Sequence, residues 1–340
     1  MNLSEIKERA KERLRGICAV CRVCDGVVCA GWVPGIGGVG TGQSFQNNVR
    51  ALARYRLNLR VIHQVEKPEL GISLFGRRLS FPVLGAAVAG AKLNFQGRLS
   101  EEELSHALLE GARQAGTIGM TGDGPDPALY EAGLTSIKAV GGLGIPIIKP
   151  LEQGQIKERI RRAEESGALA VGIDVDAAGL INMTRAGKKV GPKGREQIAE
   201  IVAFTPLPVI IKGIMTPEDA LAVAEAGAAA LVVSNHGGRA LDHTPGTAEV
   251  LPAIAKAVGD RITVLFDGGI RSGVDVLKAL ALGTRAVLVG RPLAIAAFGA
   301  GAVGVRQELQ RLRDELEAAL ILTGTASVDS VSPAIIYRES

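Results

Sequence analysis

From Phe81 onward the chain repeats one pattern: a short apolar run, a polar or glycine-rich turn, then an amphipathic stretch. The runs at 82–88, 117–121, 145–149, 168–175, 208–212, 229–234, 263–267 and 286–290 are predicted strands. They are apolar on both faces, as strands buried between helices in a parallel sheet must be. Residues 101–115 and 217–226 carry apolar positions three and four apart and are predicted helices. Eight such units in succession predict an α/β fold, a (β/α)8 TIM barrel over residues 81–325. A doubly wound open sheet is the alternative. Residues 1–80 read as an N-terminal extension, with a basic helical stretch at 47–60. Residues 304–322 read as the closing helix and 326–340 as a tail.

Composition narrows the picture. Hydrophobic residues make up 47% of the 340, but aromatics only 3%, so the core is built of Ala, Val, Leu and Ile. A net charge of +4 is too small to imply nucleic acid. No apolar run approaches the roughly 18–20 residues of a membrane span. Residues 1–14 lack the apolar centre of a signal peptide, and the chain reads as cytoplasmic.

The richest chemistry follows the sixth strand, in Ser234-Asn235-His236-Gly237-Gly238-Arg239. Histidine titrates near neutrality and both takes and returns a proton. Arginine grips a carboxylate with two parallel hydrogen bonds. The glycines let backbone approach a bound ring or anion. His236, Lys212, Asp176 and Asp267 all fall at or just past strand ends, where barrels place their active groups. Asp267-Gly268-Gly269-Ile270-Arg271 follows the seventh strand and Gly290-Arg291-Pro292 the eighth. That pair of loops is a frequent phosphate site in barrels, with backbone N–H groups and a helix N-terminus facing the anion.

The cysteines are confined to Cys18, Cys21, Cys24 and Cys29, spaced C-x2-C-x2-C-x4-C. Four thiolates in so short a stretch fit an iron–sulfur cluster or a zinc ion; disulfides and free thiols are the other readings. The run from Gly35 to Gly40 matches a dinucleotide fingerprint, but Trp32-Val33-Pro34 precedes it and no βαβ unit surrounds it. It reads as a flexible loop.

The second half of the chain resembles the FMN-dependent 2-hydroxy-acid oxidase and dehydrogenase family, which includes glycolate and lactate oxidases. The resemblance rests on Lys212-Gly213, Ser234 to Arg239, Thr244-Pro245, Asp267 to Arg271, Lys278 to Gly283 and Gly290-Arg291-Pro292. Phe75-Gly76 and Ser80-Phe81-Pro82 extend it more patchily toward the N-terminus. It implies FMN at the barrel mouth, touched by Ala86, Ala87, Lys212, Ser234, His236, Gly237, Asp267, Gly268, Gly269, Arg271, Gly290 and Arg291. It implies Lys212 beside the flavin N1–O2 edge, stabilising the charge of the reduced ring. It implies His236 as the base and Asp176 as its carboxylate partner. The base would take the hydroxyl proton as hydride leaves, or the proton on the α-carbon. Arg239 would hold the substrate carboxylate.

Departures accompany the matches. A second carboxylate-binding arginine expected after the fourth strand is missing, since none occurs between Ala177 and Thr184. Two expected pocket tyrosines are absent, and the third strand ends in Lys149, a new candidate for substrate binding. The Pro-Thr-Ala turn after the first strand is replaced by Gly85-Ala86-Ala87-Val88. The resulting expectation is an FMN-dependent enzyme oxidising a small 2-hydroxy acid, lactate- or glycolate-like, with dioxygen or a carrier as acceptor. The resemblance also implies a homo-oligomer, a tetramer or larger. The alternatives are a different flavin reaction, reductive or isomerising, and a non-catalytic barrel binding a phosphate ligand or a metal.

Overall fold

Eight parallel strands close on one another in the computed structural model, which describes residues 1–337. A short antiparallel hairpin, β1 (Ile72–Leu74) and β2 (Arg77–Leu79), precedes them. The barrel follows as β3 (Val83–Val88), β4 (Gly119–Thr121), β5 (Gly144–Ile148), β6 (Val171–Asp174), β7 (Val209–Ile214), β8 (Ala230–Val233), β9 (Thr263–Asp267) and β10 (Ala286–Val289). β10 pairs with β3 to complete the ring, so the open-sheet alternative is ruled out. Every residue of β5, β8 and β10 is buried. One face packs inside the barrel and the other under helices, so the two-residue alternation of a half-exposed strand is absent.

Local chemistry starts the connecting helices where the pattern places them. Ser100 caps Glu101–Gln114 with a capping box to Glu103. Thr216, followed by Pro217, caps Pro217–Glu225, and Ser272 caps Gly273–Ala281. Each cap satisfies a backbone donor that the first turn leaves unpaired.

Two elements differ from the sequence reading. The helix expected at 47–60 is Gln43–Arg54. It starts after Gly42, at φ +73, and stops at Tyr55 because the chain turns extended to meet the C-terminal segment. There Leu57 bridges Ile336, and Asn58 donates its N–H to the Ile335 carbonyl. The closing helix expected at 304–322 is present, and a further helical stretch from Arg291, directly after β10, leads into it, so that Arg291–Leu322 is two helices joined across a kink. The backbone leaves helical values at Ala300 and Gly301, the latter at φ +56, and this kink hid the first stretch from a periodicity reading. Among the described residues no helix is long and apolar enough to cross a membrane.

Gly273, which opens the helix after β9, is where that helix meets the closing helix. A Cβ there would stand 2.1 Å from the Leu316 nitrogen and 2.5 Å from the Leu312 oxygen, both backbone atoms that cannot swing aside. We expect Gly273→Ala to cost about 1–3 kcal/mol by overpacking, read as a lower urea midpoint. Gly154→Ala, where nothing lies within 4 Å, is the control and should not lower it.

Candidate active site

Charge concentrates at the C-terminal ends of β6, β7 and β9. Sheet register sets Asp174 directly beside Lys212, and both side chains are buried. The Lys212 ammonium donates to Asp174 Oδ1 at 3.1 Å and lies 3.7 Å from Asp267 Oδ2. The Lys149 ammonium, at the end of β5, donates to Asp174 Oδ2 at 2.7 Å. Asp174 therefore sits between two ammonium groups. Burial alone would raise its pKa, but His236, Lys149 and Lys212 hold it well below the carboxylate range. Burial alone would likewise lower the pKa of Lys212; the surrounding carboxylates of Asp174, Asp176 and Asp267 hold it above its ordinary value.

His236 hangs over this cluster from the loop after β8. Its Nδ1 lies 2.8 Å from Asp176 Oδ1 and 3.3 Å from Asp174 Oδ2. With Nδ1–H turned to the carboxylates, Nε2 is the nitrogen left with a lone pair. The His236 backbone takes φ +59, an uncommon value for a non-glycine residue, and its N–H donates to Ser234 Oγ. Asp176 follows in a short 3-10 turn, Val175–Gly179. Its pKa is raised by burial and by repulsion from Asp174, and its Oδ2 is buried with no partner. β7 bulges after Lys212: Gly213, at φ +107, lies so close to Asp176 that a Cβ would meet its side chain at 2.6 Å.

A cavity opens above these groups. It is lined by Ala86 and Ala87 from β3, by Lys149, Asp174, Lys212 and His236, and by Gly237 and Arg239. Its far side is Asp267 to Arg271 together with Gly290 and Arg291. Ser234 stays beneath the loop it supports and is fully buried. Asp267 Oδ1 is buried and unpartnered, an acceptor facing a space that a polar ligand would fill. A Cβ at Gly237 would press on Arg291 Nη1 at 2.8 Å, so the loop stays narrow only as glycine. Small residues on one wall, a central ammonium and an open acceptor suit a flat, polar-edged ring with an anionic tail.

The three arginines do not point freely into that space. Arg239 Nη1 donates to the Gly35 and Gly37 carbonyls, and Nη2 to Asn94 Oδ1. Arg291 donates to the Ile36, Gly37 and Gly237 carbonyls and lies 3.7 Å from the centre of the Phe45 ring. Arg271 donates to the Cys24 and Ile270 carbonyls. None of the three has a carboxylate partner among the described residues. Burial lowers Arg239 to about 10 and, with repulsion from Arg239, Arg291 to about 9. The 35–40 run, read from sequence as a flexible loop, thus supplies the carbonyls that hold two of these guanidiniums.

Sequence reasoning missed several supports. Asn48 and Asn235 exchange amide hydrogen bonds of 2.8 and 3.0 Å, tying the Gln43–Arg54 helix to the His236 loop. Asp123, fully enclosed, accepts from Arg159 and from the Lys149 backbone N–H, which fixes the end of β5. Neither carries a local motif; each depends on a partner far along the chain. Asp174, two residues before Asp176 at the end of β6, carries no motif of its own.

Cys18, Cys21, Cys24 and Cys29 are unbridged and partly exposed. Burial raises the Cys18 thiol to about 11. In no set of three do the cysteine sulfurs all lie within 4.8 Å of one another among the described residues. Tetrahedral zinc, with bonds of about 2.3 Å, needs sulfurs about 3.8 Å apart, so the zinc reading is not met by this arrangement. Among the described residues the one close trio of metal-ligand types is Asp174, Asp176 and His236. Two lysines already engage Asp174, so the trio reads as an acid–base network.

Lys212→Met would leave Asp174 and Asp267 short of a buried cation. We expect a loss of about 3–5 kcal/mol at pH 7, measured by chemical denaturation. Because Asp174's pKa is depressed, its stabilisation is present above the unfolded value of about 3.9 and disappears as pH falls through the folded value. The cost of Lys212→Met should shrink over the same acid range.

The FMN-dependent dehydrogenase family model matches residues 35–193 and 188–338. The chain is 31% identical over 338 residues to a peroxisomal (S)-2-hydroxyacid oxidase of Arabidopsis thaliana, covering 89% of this chain and 91% of that protein. It is 35% identical over 332 residues to the 4-hydroxymandelate oxidase of Amycolatopsis orientalis, covering 86% and 89%. A crystal structure of mandelate oxidase with (S)-2-phenylpropionate superposes with a TM-score of 0.78 at 34% identity, covering 97% of this chain and 96% of that one. A mandelate oxidase variant carrying a monooxide FMN adduct gives 0.75 at 36% identity, covering 89% and 96%.

Proposed function

This chain belongs to the FMN-dependent dehydrogenase family and is an FMN-dependent oxidoreductase, and we infer that it oxidises a small 2-hydroxy acid to the 2-oxo acid. The observation that carries this reading is the His236–Asp176 contact of 2.8 Å, set over the buried Lys212 at the mouth of the cavity. FMN, when bound, supplies the two-electron acceptor for the substrate's α-hydrogen.

The chain's own groups take the remaining tasks. Lys212 and the turns at Gly268-Gly269 and Gly290 hold the cofactor, with Asp267 Oδ1 as an acceptor for one of its polar hydrogens. Arg271 and Arg291 give the phosphate end a positive surround. His236 Nε2 accepts the substrate proton, and the carboxylates of Asp176 and Asp174 stabilise the imidazolium that forms. Asp174, kept ionised between two ammonium groups, holds Lys212 charged throughout.

Arg239 orients the substrate carboxylate. Three of its N–H groups are committed to Gly35, Gly37 and Asn94, which leaves Nε–H and one Nη2–H to face the anion. Lys149, just past the end of β5, adds positive charge to the same cavity, at a position where the resemblance implies a tyrosine. Leu180 and Met183 line the same cavity and favour a substrate with a short apolar side chain.

His236→Ala should slow anaerobic flavin reduction by 2-hydroxy acids about 10²–10⁴-fold while FMN stays bound. Stopped-flow absorbance of the flavin reads the rate. A wild-type rate in this variant would remove His236 from the reaction. A wild type left oxidised by every 2-hydroxy acid in a panel would overturn the substrate assignment.

A further inference from the structure

The stretch from Cys18 to Gly35 has little core of its own. Between Ile17 and Ile36 no side chain is fully buried. Val23, Val27 and Val28 are each more than half exposed. No helix or strand runs from Cys18 to Cys29. Yet this stretch delivers the Cys24 carbonyl to Arg271 and leads directly into the carbonyls that hold Arg239 and Arg291. A loop with no core and an exacting position needs some other cross-link.

Its only concentrated chemistry is the four thiols. None is in a disulfide. Two N–H donors already aim at sulfur: the Val20 backbone reaches Cys18 Sγ at 3.4 Å, and Arg271 Nη2 reaches Cys24 Sγ at 3.7 Å. Val20 takes φ +45 and Gly26 φ +84, left-handed values that break any regular extended or helical run between the first cysteine and the last. Among the described residues no three of the sulfurs all lie within 4.8 Å of one another. Four thiolates of a [4Fe–4S] cluster each bind a different iron and not one shared ion, so a cluster does not require the sulfurs to crowd as closely as zinc does. The spacing of the first three cysteines is also that of a cluster-binding run.

We propose that Cys18, Cys21, Cys24 and Cys29 ligate an iron–sulfur cluster of the [4Fe–4S] type, seated against Arg271 beside the flavin cavity. The cluster would be the missing cross-link of this loop. The sulfur-directed donors from Val20 and Arg271 would offset its negative charge.

The test uses the full-length protein, purified and kept without oxygen. Iron, zinc and acid-labile sulfide are measured on the same sample as FMN released by acid. The expected result is iron and sulfide in equal amounts, about four of each per chain, with the Mössbauer spectrum of a cubane in protein grown on ⁵⁷Fe. The C18S/C21S/C24S/C29S variant should lose both iron and sulfide. If that variant does not fold, the wild type decides alone, by uptake of ferrous iron and sulfide after chelation and anaerobic reconstitution. One zinc per chain in place of iron would overturn the proposal. So would the absence of iron and sulfide both as isolated and after reconstitution. FMN content is read separately, so failure of the cluster leaves the flavin assignment standing.

Discussion

Asp174 is the point on which the barrel mouth turns. It is buried, yet it meets Lys212, Lys149 and the His236 ring within 3.3 Å. A carboxylate taken out of water is costly unless it is paired and hydrogen-bonded. Here the parallel register of β6 and β7 sets its first partner beside it, and the end of β5 brings the second. Once Asp174 is ionised, Lys212 must be charged as well, and Asp176 is left as the weaker acid of the pair. The division of labour between the two aspartates follows from that asymmetry: one anchors lysines, the other meets the imidazole.

The rim has the opposite problem. Three guanidiniums gather there without a carboxylate partner among the described residues. Their donors go instead to main-chain carbonyls of the segment 24–37, of Gly237 and of Ile270, and to the Asn94 amide oxygen. Carbonyl oxygens satisfy the hydrogen bonds but do not cancel the charge. The surplus positive charge is therefore retained at the rim, where an anionic tail and a carboxylate are the fitting counterparts. Extension and barrel make one site: the barrel brings the cations, and the extension orients them.

Much of this was legible from sequence because strand ends advertise themselves. An apolar run followed by His, Gly, Lys or Asp marks both the strand and the place where chemistry leaves it, and His236, Lys212, Asp176 and Asp267 do converge. What escaped reading depends on contacts between distant segments. Asp123 with Arg159 and Asn48 with Asn235 are pairs whose members carry no local signal. The glycine run at 35–40 looked mobile because its stabilising partners, Arg239 and Arg291, lie some two hundred residues later. The kink at Ala300 and Gly301 separates two helices, and only the one after it carried a readable helical period.

The reciprocal amide pair of Asn48 and Asn235 has a consequence for how such a chain can be altered. It fastens the base-bearing turn to a helix that precedes all eight barrel strands. The repeating part is therefore not a self-sufficient module with an ornamental preface. Grafting another relative's leading segment onto this barrel would re-seat the imidazole unless the graft brought a side chain able to give and take hydrogen bonds at that spot.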